Sequence, residues 1–145
     1  MKKNLSKHVT LHSAAYMGDV CAMKILLQTI TPKKLLKKNT VGRTALHIAV
    51  IQGKKGIIKI FLQQDNKELL LEKDDEGLTA LHMAVIQGNK DIVKLFLRKD
   101  NKELLLERSP DGSNALSIAM LQGHESIVEL ILQSDDLLTS HKSFS

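Results

Sequence analysis

The chain has no Trp, and its one Tyr and three Phe make up only 3% of 145 residues. A core made from it has to be aliphatic, which favours packed helices over a sheet sandwich. Cysteine is equally scarce. One Cys excludes an intrachain disulfide framework and fits a reducing compartment. Cys21 lies in the series Val20-Cys21-Ala22-Met23, where it reads as a small buried hydrophobe rather than a nucleophile. Long apolar runs are missing too: stretches such as Ile60-Phe61-Leu62 fall far short of the ~20 residues of a membrane span. The opening Met1-Lys2-Lys3-Asn4 leads into polar residues rather than the apolar segment of a secretory signal. A soluble, cytoplasmic protein with no membrane partner is expected.

What the sequence does contain is repetition. Gly42-Arg43-Thr44-Ala45-Leu46-His47-Ile48-Ala49 is echoed by Gly77-Leu78-Thr79-Ala80-Leu81-His82-Met83-Ala84. Weaker copies stand at Gly112 to Ala119 and at Thr10 to Ala14, and Leu11, Leu46, Leu81 and Leu116 keep a constant offset of 35. A fixed period in this range indicates a stacked solenoid. Thr44 and Thr79 can cap a first helix with their side-chain oxygens, and Gly53 and Gly88 can end it in the left-handed conformation. A second helix follows, with Ile57, Ile58, Ile60, Phe61 and Leu62 in one unit and Ile92, Val93, Leu95, Phe96 and Leu97 in the next. Lys59 and Lys94 interrupt these series at the outward position. Helices of two or three turns do not persist alone in water, so stacking is obligatory. The octapeptide Asp65 to Glu72 recurs unchanged as Asp100 to Glu107, and its three leucines are expected to tuck under the connector.

The pattern G-x-T-A-L-H-x-A, followed by a Gly and then by I-V-x-L-F-L, resembles the ankyrin repeat. The resemblance covers nearly the whole chain. It implies an all-α solenoid of four stacked helix-loop-helix units joined by short turn or hairpin connectors, with eight helices. The first helices are expected near 10–17, 45–52, 80–87 and 115–122. Residues 1–145 then form a single domain with repeats near 4–38, 39–73, 74–108 and 109–140. The family period is about 33, so each unit here carries roughly two extra residues in the connector. Ala45 and Ala80 stand where the family commonly has Pro, a change the first helical turn tolerates.

His12, His47 and His82 recur once per unit, yet equivalents in stacked repeats lie about 10 Å apart, whereas zinc ligands sit about 2 Å from the metal. No metal site is expected, and the resemblance assigns these His residues to bracing their turns by hydrogen bonds. Ser117 and Asn114 replace His and Thr in the fourth unit, which should be less well braced. No G-x-S-x-G, G-x-x-x-x-G-K-[ST] or H-E-x-x-H motif occurs. The carboxylate pairs Asp74-Asp75 and Asp135-Asp136 read as turn residues. No enzyme activity, cofactor or small-molecule substrate is expected.

The net charge of +5 conceals an asymmetry: residues 1–73 hold 14 Lys and Arg against 4 Asp and Glu, and residues 74–145 hold 7 against 12. Nucleic acid is disfavoured as a partner, because aromatic stacking platforms and a recognition motif are absent.

The resemblance places partner binding in a concave groove formed by the turn tips and the exposed side of the first helices. The two positions before each terminating Gly are expected to face it: Tyr16-Met17, Ile51-Gln52, Ile86-Gln87 and Leu121-Gln122. The turns add Val41 and Arg43, then Glu76 and Leu78, then Ser113, while Lys38, Lys73 and Arg108 are expected to form a basic rim. The expected function is a non-enzymatic module that binds another protein. Two alternatives are a scaffold that self-associates through oppositely charged ends, and a host-directed effector of an intracellular bacterium acting in the host cytosol. The second fits a composition rich in Lys, Ile, Leu and Asn.

Overall fold

The computed structural model describes residues 10–64, 66–98 and 102–143. The expected start of the first repeat at residue 4 lies outside them, as do Asp65 and Asp100. The described residues form eleven helices. Four pairs build the stack: α1 (Leu11–Met17) with α2 (Val20–Thr29), α4 (Ala45–Ile51) with α5 (Lys55–Gln63), α7 (Ala80–Gln87) with α8 (Lys90–Leu97), and α10 (Ala115–Gln122) with α11 (Glu125–Ser143). The expected count of eight falls short because each connector contains a further short helix. These are α3 (Pro32–Leu35), α6 (Lys67–Leu71) and α9 (Lys102–Leu106).

Local chemistry fixes where the first helices begin and end. Thr44 Oγ1 accepts from the His47 amide and Thr79 Oγ1 from the His82 amide, and Asn114 does the same for Ser117. The exits use left-handed glycines, Gly18, Gly53, Gly88 and Gly123, with φ between 70° and 75°. Gly42 at the tip of a turn has a different constraint: a Cβ there would lie 2.6 Å from the Asp75 backbone nitrogen of the next turn.

Packing runs along the stack, α1 on α4 on α7 on α10, with the second helices forming an outer layer. Ala14, Ala49, Ala84 and Ala119 are buried on the inner helices, where small side chains let neighbouring helices approach closely. Leu46, Leu81, Phe61, Phe96, Ile57, Ile58, Ile92 and Val93 fill the space between layers. The connector helices close the core from one side through Leu69, Leu70 and Leu104, although Leu106 is 59% exposed. Asn66 caps α6 by accepting from the Leu69 amide.

Two sequence expectations are corrected. Cys21 is exposed rather than buried, because Ala22 and Met23 take the inward positions of α2. Asp135 and Asp136 lie within α11 rather than in a turn, since that helix continues to Ser143.

Candidate functional site

The turns between units are built on short polar side chains. Asn39 Oδ1 accepts from the amides of Val41 and Arg43, and Asp74 Oδ1 from those of Glu76 and Leu78. The next turn uses Asp111, which accepts from the Ser113 amide. Successive turns touch, with the Asp75 amide donating to Val41 O at 3.2 Å.

Of the residues expected on the turns, Val41 is 46% exposed and Glu76 is exposed, whereas Arg43, Leu78 and Ser113 are half-buried. Leu78 packs against the core. Arg43 bridges adjacent turns, its Nε 3.7 Å from Asp74 Oδ2 and its Nη2 3.9 Å from Glu76 Oε1.

On the first helices, Tyr16 is 55% exposed, Met17 71%, Ile86 39% and Leu121 75%, and Gln52, Gln87 and Gln122 are exposed. Ile51 differs: it is half-buried against the core, and its carbonyl accepts from Gln87 Nε2 at 3.1 Å. Ile51, Gln52 and Gln87 meet around one open cleft of about 520 Å³ between the second and third units. Met120 is 63% exposed beside Leu121. Counting back two positions from the glycine misses it, because its counterparts Val50 and Val85 are fully buried under the following unit.

Lys38 and Lys73 do not form a free basic rim. Lys38 Nζ donates to Lys73 O at 2.8 Å and lies 3.0 Å from Glu72 Oε1. Lys73 repeats this with Arg108 O and Glu107 Oε1, at 3.0 and 3.2 Å. Arg108 turns back onto Gly112 O. These cations join one unit to the next.

The histidines do the same by another route. The Thr44 amide donates to His47 Nδ1 at 3.1 Å, so the ring proton sits on Nε2, which donates to Leu78 O of the next unit at 2.9 Å. His12 Nε2 likewise lies 2.9 Å from Arg43 O of the next unit. His82 takes its own Thr79 amide and then Glu107 O at 3.0 Å. The brace inferred for a single turn is thus also a clasp between units.

Burial holds the pKa of His47 and His82 below the ordinary imidazole value, as desolvation penalises the charged ring. The unfolded chain therefore takes up protons near pH 6.5, where the folded chain still resists them. The stability contributed by the neutral rings is complete above that pH and is lost as pH falls through it. Urea midpoints should decline between about pH 7.5 and 5.5, and the decline should be shallower in His47→Gln/His82→Gln. An equal slope in the variant would rule the rings out as its source.

Helix pairs stacked in one direction, with polar turns along one edge and with His12, His47 and His82 each clasping the next unit, define a repeat solenoid. The family model described as ankyrin repeats (three copies) matches residues 2–69 and 66–141, and the chain belongs to the ankyrin repeat family. Comparison with curated proteins gives no match. Ankyrin repeats generally mediate protein–protein interaction and are typically non-enzymatic. No described helix is long and apolar enough to cross a membrane.

Proposed function

We propose that the protein is a non-enzymatic interaction module that binds a partner protein through the concave groove of its stack. The observation that supports this is the exposure of Tyr16, Met17, Ile86 and Leu121 at the ends of the first helices, while the other large apolar residues of these helices lie mainly in the core. Val41 extends this surface onto the turns. Gln52, Gln87, Gln122, Glu76 and Ser113 border it. An apolar centre within a polar margin is the usual anatomy of a protein-binding surface. Arg43, Leu78 and Ile51 contribute mainly by holding the groove in shape, given their burial. A cytoplasmic setting accords with the lone free thiol of Cys21.

The test is affinity capture from the source cell with quantitative mass spectrometry, comparing wild type with Ile86→Glu/Leu121→Glu. Leu121 is chosen over Ile51 because it is 75% exposed and its replacement leaves the core intact. A charge buried in the contact lacks a counter-ion, so at least one captured protein should fall about tenfold, while circular dichroism stays unchanged. Identical recovery by a folded variant would refute the groove assignment.

A further inference from the structure

Charge changes steadily along the stack. Residues 4–38 hold six Lys against one Asp, residues 39–73 six Lys and Arg against three Asp and Glu, residues 74–108 six against seven, and residues 109–140 none against five. The one carboxylate of the first unit, Asp19, is engaged in capping α2.

The ion pairs among the described residues share a direction. Lys38 to Glu72, Arg43 to Asp74 and Glu76, Lys55 to Asp91, Lys67 to Glu103 and Lys73 to Glu107 all run from a cation to a carboxylate of the following unit. Both ends of the stack invert this pattern. The forward-facing Lys55, and Lys90 at the same register, become Glu125 in the fourth unit, while Lys59 and Lys94 become Glu129. The backward-facing carboxylates Glu72 and Glu107 become Lys37 in the first unit, and Glu103 becomes Lys33, both lysines being exposed.

The fourth unit also leaves apolar surface uncovered on its forward face. Met120 is exposed where Val50 and Val85 are buried, and Leu132 is 44% exposed. An open cleft of about 490 Å³ there is lined by Ala119, Met120 and Val128, with Glu125 and Glu129 beside them. A following unit like the third would set its backward-facing Asp91, Glu103 and Glu107 against this acidic end. The first unit brings lysines.

We propose that the acidic forward face of the fourth unit receives the lysine-rich backward face of the first unit of a second copy, so that chains associate head to tail. This face adjoins the groove at Leu121, but its charges, Glu125 and Glu129, lie on α11 outside it, and neither reading depends on the other. Attraction between the ends acts over about 30 Å at 0.01 M ionic strength and about 3 Å at 1 M. Such a contact is heterologous and leaves a free end of each kind, so growth continues past the dimer.

Sedimentation velocity on the full chain tests this. At about 0.01 M ionic strength the average mass should climb with concentration beyond twice 16.1 kDa, and at about 1 M it should return to the monomer. Glu125→Lys/Glu129→Lys and Lys33→Glu/Lys37→Glu should each associate about tenfold more weakly, the scale expected when exposed ion pairs become like-charge contacts. All four positions are exposed, and circular dichroism should confirm that both variants fold. Mixing the two variants restores opposite charge at every junction and should restore association. A chain that stays monomeric at low salt, a dimer that grows no further, association unchanged by either reversal, or a mixture no stronger than its components would each overturn the proposal.

Discussion

Leu81→Ala is expected to lower the unfolding free energy by about 2–5 kcal/mol. Leu81 is fully buried on α7, with α4 on one side and α10 on the other. Removing its branched end leaves a cavity as well as losing transfer free energy, and the surrounding short helices cannot close it freely. Each is tied at its start by a capping threonine or asparagine, and Gln87 at the end of α7 donates to Ile51 O of α4. Urea denaturation measures the loss directly. A change under about 0.5 kcal/mol, the scale of surface substitutions, would mean that the inner layer relaxes far more than its packing implies.

His47→Leu should cost a comparable amount, about 2–6 kcal/mol, although it keeps the site apolar and nearly filled. Its ring is fully buried and serves two backbone groups, the Thr44 amide and Leu78 O. Leucine serves neither. Leaving buried polar groups without partners costs about 1–3 kcal/mol each, and here the two groups belong to different units, so both the turn and the joint weaken. Ser117→Ala makes the control, since no described unit lies beyond that position for a side chain to clasp. Its cost should stay below about 0.5 kcal/mol. A loss in His47→Leu no larger than that in Ser117→Ala would show that the two bonds of the ring add nothing to stability.

The parts of the fold that depend on neighbours in sequence were legible in the residues. Thr44 and Thr79 mark helix starts, the left-handed glycines mark the ends, and the 35-residue offset places every unit. The connector helices were not legible. Five residues such as Lys67–Leu71 have no helical tendency strong enough to announce themselves, and they form because Leu69 and Leu70 meet a core that exists only after stacking. The same reason explains the partial success at the candidate site. Tyr16, Met17, Ile86 and Leu121 project as the repeat pattern implies, but whether Ile51 is open or Met120 covered depends on which unit lies next to it. The roles of Lys38 and Lys73 depend likewise on carbonyls and carboxylates about 35 residues away.

The forward reach of His47 to Leu78 O and of Lys38 and Lys73 to the next carbonyl gives each interior unit a leading and a trailing edge that match one another. A block of 35 residues copied in place from the middle of the chain would find at both of its new borders the donors and acceptors it already uses. The identical octapeptides at Asp65 to Glu72 and Asp100 to Glu107 have the form such copying leaves behind. A block taken from either end would not fit in this way, since Ser117 lacks the clasp and Lys37 carries the wrong sign. The architecture therefore takes up an added unit most readily beside its second and third, where every border already matches.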